Sequence, residues 1–246
     1  MTKQLAASKQ ICGMCLTTQV VWFSSQPVPK DDKVFLLEQR LTGLTSPFHF
    51  MDAKSLQKMM QDMGAVLSRS AALLLLYPDL FDPNDLDFYA TPHGFSTVLA
   101  FIQNHGYEIG KNDTSNDTYD HGVHIIIRMV HHASLKSINI ITRWDGHIIG
   151  MITSFHSTLV MNYMAWYGLV SLYPKWTLNG VGLIIQNSPG TRLCFKKYDD
   201  REFSLYHNLS DLDSFTPGHV CCKDSWCPHT QRLLGEHFQS LQGLFL

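Results

Sequence analysis

At 246 residues, with 45% apolar and 16% charged side chains, the chain can bury a sizeable core, which excludes global disorder. A formal net charge of −2 excludes the whole-molecule basic signature of a nonspecific nucleic-acid binder and leaves only a local basic patch open. The first residues lack a basic start followed by an apolar run, and the longest apolar run, Ala71 to Tyr77, is far too short to span a bilayer. The expectation is an intracellular protein, cytoplasmic or nuclear, with reduced thiols and no membrane partner. Without a secretory signal, the sequons at Asn112, Asn116 and Asn208 read as chance matches.

The elements follow in chain order. Cys12-Gly13-Met14-Cys15 is a single CxxC, half of a zinc site or a redox pair, and no second pair lies near it in sequence. Ser24 to Asp32 is a turn-rich linker, and Val34 to Leu44 has apolar residues spaced for an amphipathic helix. Asp52 stands as the N-cap of a helix over Ala53 to Met63, whose Leu56, Met59, Met60 and Met63 recur at helical spacing and belong to the core. Ala65 to Leu67 reads as a short buried strand. The turn Ser68-Arg69-Ser70 and an apolar helix, Ala71 to Tyr77, follow, and Pro78 stops that helix.

The next strand carries Asp85 and Asp87. Residues two apart on a strand share a face, so both carboxylates project together while Leu86 and Phe88 enter the opposite layer. Such a pair can hold a divalent cation in the oxygen-ligand manner magnesium prefers. Solvated acids at a strand entry are the other reading. A helix over His93 to Gly106, a polar loop over Gly110 to Gly122, and two β-rich runs, Val123 to Val130 and Ser137 to Thr142, come next. The runs are expected to form an antiparallel pair beside the acidic strand. His131 and His132, adjacent at the junction between the runs, point to opposite faces and read as solvated.

Phe155 to Trp166 has spacing for a helix against the sheet, and Asn179 to Gly190 is a second apolar run. Lys196-Lys197-Tyr198 with Arg201 is a small basic-aromatic cluster, suited to a polyphosphate or RNA strand, or simply a solvated strand or turn. Asp211-Leu212-Asp213 repeats the acidic triplet without a preceding Ser turn and reads as a loop. Near the end His219, Cys221, Cys222, Cys227 and His229 are ligand types that zinc takes. Their spacing matches no common finger, and thiols beside a helix over Thr230 to Leu241 are the other reading.

The order of strand, Ser turn, apolar helix and Asp85-Leu86-Asp87-Phe88 strand resembles the nucleotidyltransferase superfamily, whose signature is a Gly-Ser turn followed by an acidic-apolar-acidic strand. Phe50-Met51-Asp52, Phe155-His156-Ser157-Thr158, Val160-Met161-Asn162 and Ser171 to Pro174 look like blocks of a group of uncharacterised fungal proteins with DLD and FHST-VMN motifs. The resemblance covers roughly Pro47 to Leu178. It implies an α+β fold, with a small mixed or antiparallel sheet, helices mainly on one face, and a C-terminal extension. The implied organisation is a segment over 1–45, a core over 46–178 and an extension over 179–246.

By resemblance, Asp85 and Asp87 are the catalytic and magnesium-binding residues, and Ser68, Arg69 and Ser70 hold the phosphates of a nucleoside triphosphate. The implied reaction is magnesium-dependent transfer of a nucleotide to an unknown acceptor. Two departures weigh against transfer. Arg69 stands where the pattern has Gly, and a side chain is a defect there if the turn needs positive φ. The third strand, which usually supplies a general base, offers Asn139 instead of an acid, with Asp145 just beyond in a turn. The alternative is a catalytically inactive binding or scaffold protein of the same fold, with a nucleotide or protein partner. A zinc-stabilised interaction module is a third reading, carried only by the terminal Cys/His cluster.

Overall fold

A computed structural model describes residues 19–20, 30–49, 52–78, 80–110, 123–186 and 189–215. The CxxC at Cys12, the polar loop after Gly110, the Cys221 to His229 cluster and the helix expected over Thr230 to Leu241 lie outside the described residues. In chain order the first half contains β1 (Gln19–Val20), α1 (Lys30–Thr45), α2 (Ala53–Met63), β2 (Val66–Ser68), α3 (Arg69–Leu76), β3 (Asp85–Ala90), α4 (Phe95–Asn104) and β4 (Tyr107–Ile109). The second half contains β5 (Val123–His131), β6 (Ser137–Arg143), α5 (Ile148–Thr153), β7 (Asn162–Ala165), β8 (Gly168–Ser171), α6 (Pro174–Thr177), β9 (Val181–Leu183), α7 (Pro189–Asp199) and β10 (Ser204–Tyr206).

The chain divides into two compact units. The larger comprises Trp22–Ile152 and Asn162–Leu169, and its strands run in the order β7-β2-β3-β6-β5-β4. The pairs β2/β3, β2/β7, β5/β6 and β4/β5 are antiparallel, whereas β3 and β6 are parallel, so the sheet is mixed. The antiparallel β5/β6 pair lies beside the Asp85–Asp87 strand, as the sequence leads one to expect.

Alternation along the strands sorts the two faces. Leu86, Phe88 and Ala90 on β3, Ile138 and Ile140 on β6 and Leu67 on β2 are fully buried. They share one hydrophobic cluster with Leu41 of α1, Leu56 and Met60 of α2, Ala72 of α3 and Ile102 of α4. The helices thus cover this face, which makes the architecture an α+β sheet with helices mainly on one side.

Local sequence explains α2 well. The Asp52 carboxylate accepts hydrogen bonds from the backbone N–H groups of Lys54 (2.9 Å) and Ser55 (3.1 Å), and Gly64 ends the helix at φ +58°. The Ser55 hydroxyl and the Lys54 N–H together hold the Asp52 carboxyl below the ordinary carboxylate range. Gly94, at the start of α4, is required by close packing: a Cβ there would lie 2.2 Å from the Met63 carbonyl oxygen.

The smaller unit comprises Met1–Val21, Thr153–Met161 and Val170–Leu246. Within it β9 and β10 pair in parallel, and the Thr158 hydroxyl accepts from the Leu183 N–H at 2.8 Å. Two sequence expectations fail in this part of the chain. The helix expected over Phe155 to Trp166 is instead a 3-10 turn, Thr158–Val160, followed by β7. Every residue from Ser157 to Ala165 is buried, so the run has no exposed stripe by which a helix and a buried strand can be told apart. Lys196-Lys197-Tyr198 lies on α7 and not on a strand or turn. There Lys196 pairs with Asp200 at 2.8 Å, one helical turn on, while Tyr198 is buried. Among the described residues, no helix is long and apolar enough to cross a membrane.

Candidate active site on the central strands

The passage from β2 into α3 sets the geometry. Ser68 closes β2 with extended backbone (φ −139°, ψ −168°), and Arg69 opens α3 at φ +58°. The turn therefore does need the left-handed region, which costs a non-glycine residue about 1–2 kcal/mol. Ser68 occupies the N-cap position and makes no side-chain cap bond; its hydroxyl, fully buried, donates to the Asn162 carbonyl at 2.6 Å and joins β2 to β7. Ser70 sits inside the helix and is 4% exposed.

Strand registers then align side chains across the face opposite the helices. Ser68 lies beside Asp87, Asp87 beside Asn139, and Asn139 beside Arg128. Directly paired residues share a face, so these four side chains form one row. Asp85 shares the face and lies beside Ser137, and Tyr89 lies two residues beyond Asp87. The structure brings Asp85 and Asp87 onto one face with Arg69 alongside. Asp85 is half-buried and Asp87 is buried.

Asp87 meets a partner on each oxygen. The Asn139 side-chain amide donates to Oδ1 at 2.9 Å, and the Arg69 guanidinium lies 3.9 Å from Oδ2. That guanidinium also lies over the Tyr89 ring, 6.0 Å from its centroid. The carboxylate fixes the amide orientation, since the opposite flip would set two oxygens against each other. Asn139 thus acts toward Asp87 as a proton-bearing donor and has no lone pair on that nitrogen with which to take a proton.

Asp145 does not replace the missing acid. Partial burial works to raise its pKa, but the His147 N–H (3.1 Å) and the Arg143 guanidinium (2.7 Å) outweigh that and hold it below the ordinary range. It is tied to its own turn. Among the described residues no group of three His, Cys, Asp or Glu side chains is placed to hold a metal ion. As arranged, the donor set does not fit a magnesium ion between Asp85 and Asp87, because a fixed positive charge already faces the buried carboxylate.

Arg128 and Tyr89 were not singled out in the sequence. The alternation of β3 places Tyr89 on the acidic face directly, whereas Arg128 joins the row only through the β5/β6 register that sets it opposite Asn139.

No protein-family profile and no curated protein matches the chain. Solved structures do. A CCA-adding enzyme in complex with CTP superposes with a TM-score of 0.51 at 16% identity, covering 73% of this chain and 44% of that one. The Thermotoga maritima CCA-adding enzyme complexed with tRNA gives 0.50 at 15% identity, covering 73% and 43%. A CCA-adding enzyme in complex with ATP gives 0.51 at 14% identity, covering 72% and 43%. The chain spans less than half the length of these structures. At such identities the likeness shows the fold: a mixed α+β architecture like that of the nucleotidyltransferase-fold CCA-adding enzymes.

Proposed function

We propose that the chain is a nucleotidyltransferase-fold protein that binds a nucleoside triphosphate and does not transfer it. The observation that carries this reading is the Asn139 amide donating to Asp87 at 2.9 Å, on the strand that usually supplies the general base. The fold likeness to enzymes solved with CTP and ATP supports a nucleotide as ligand. Arg69 and Arg128 supply planar guanidinium groups suited to phosphate oxygens, and backbone N–H groups at the start of α3 add donors. Ser70, at that helix start, belongs to the same phosphate-binding set, while Ser68 positions β2 against β7.

A second reading, nucleotidyl transfer to an unknown acceptor with magnesium at Asp85 and Asp87, rests on their common face on β3 and requires the Arg69 guanidinium to leave Asp87 first. Calorimetric titration of ATP, GTP, CTP and UTP, paired with a pyrophosphate-release assay in magnesium and total cell RNA or protein, separates the two. The binding reading predicts saturable heat for at least one nucleotide, weakened about tenfold by Arg128→Ala, and no release of pyrophosphate. Pyrophosphate release abolished by Asp85→Ala/Asp87→Ala selects transfer. A folded protein that binds none of the four sinks both readings and leaves a scaffold with a protein partner.

A further inference from the structure

We infer that Arg69 is the built-in counter-ion of Asp87, holding by a covalently tethered guanidinium the place a bound divalent cation would take on the β3 carboxylates. A buried carboxylate needs a compensating positive charge or several donors. Here Asp87 is 4% exposed, and its two oxygens face the Asn139 amide at 2.9 Å and the Arg69 guanidinium at 3.9 Å. A dication bridging Asp85 and Asp87 would lie within a few ångströms of that guanidinium, with little water between them to screen the repulsion.

The backbone gives independent support. Arg69 sits at φ +58°, a conformation an L side chain adopts only at a cost, yet its side chain is three-quarters buried over the acidic face. Strain retained at such a place is repaid by the contacts the side chain makes. The guanidinium also lies over the Tyr89 ring, 6.0 Å from its centroid, at the outer range of a cation–π contact. Arg128, Arg143 and Lys136 are the further cations on β5, β6 and the turn between them. Lys136 is engaged with Asp82 at 3.1 Å and Arg143 with Asp145 at 2.7 Å, and so neither neutralises Asp87.

The test uses the metal alone and is independent of whether any nucleotide binds. Manganese is titrated into the wild-type chain and into Arg69→Gly, Arg69→Gln and Arg69→Lys, with the free ion followed by its paramagnetic resonance signal and the fold by circular dichroism. Glycine suits the positive φ, glutamine keeps the side-chain length without the charge, and lysine keeps the charge. The wild type and Arg69→Lys are expected to leave the ion free at millimolar concentration. Whichever of Arg69→Gly and Arg69→Gln folds is expected to bind one ion at least tenfold more tightly, and adding Asp87→Asn is expected to abolish the gain. Wild-type binding as tight as that of the neutral variants, or folded neutral variants that gain nothing, would overturn the inference.

Discussion

On β3, Leu86, Phe88 and Ala90 face the helices, while Asp85, Asp87 and Tyr89 face the other way; Asp87 and Tyr89 are buried nearly as deeply as the first three, and Asp85 is half-buried. The difference lies in what compensates for lost water. The helix-covered face is held by apolar area alone, so its stability scales with volume and fit. The acidic face is held by directed pairs, Ser68 to Asn162, Asn139 to Asp87 and Arg69 to Asp87, each of which fails if one member is removed. One strand therefore carries a packing layer and a polar network that respond differently to substitution.

Substitutions can break this contrast. Phe88→Ala empties a fully buried position in the helix-covered layer and is expected to cost about 3–5 kcal/mol by urea unfolding. Asp87→Ala leaves the Asn139 amide without its acceptor and the Arg69 guanidinium without its neighbouring anion, and is expected to cost about 1–3 kcal/mol. A cost for Asp87→Ala matching that of Phe88→Ala would mean the network is worth as much as the core. Asn139→Ala removes one donor and is expected to cost about 1 kcal/mol, with strong coupling to Asp87→Ala in a double-mutant cycle. Asp85→Ala, at the half-buried end, is expected to stay within about 0.5 kcal/mol of wild type.

A smaller effect depends on pH. The Asp52 carboxyl is held below its ordinary value, first by the Ser55 hydroxyl and then by the Lys54 N–H. A lowered folded-state pKa means the cap stabilises fully above the unfolded value of 3.8 and is lost as pH falls through the folded one. Thermal melts below about pH 4 should therefore differ less between wild type and Asp52→Ala than melts at pH 7.

The helix-covered face was legible in the sequence because its signals are local. Leu56, Met59 and Met60 recur on one side of α2, Asp52 precedes them, and Leu86 and Phe88 alternate with the acids. The α+β class followed from the resemblance that order of parts carries, with the sheet left as mixed or antiparallel until the parallel β3/β6 pair decides it. Phe155 to Trp166 was misread because a segment buried on every side carries no periodic exposure. The acidic face was half legible. Asp85 and Asp87 share a strand, so the alternation reveals their common side. Arg69 reaches Asp87 through a left-handed turn, and Arg128 joins the row through the β5/β6 register opposite Asn139. Both relations arise only once distant segments pair.

The central claim is that this face recognises its ligand with tethered cations and not with a bound one. Its most direct test is the dissociation constant of the best-binding nucleoside triphosphate on the wild-type chain, measured by calorimetry in magnesium and again in EDTA. The account predicts two values within about threefold of each other. A loss of affinity of about tenfold or more in EDTA, in protein that remains folded, would contradict it.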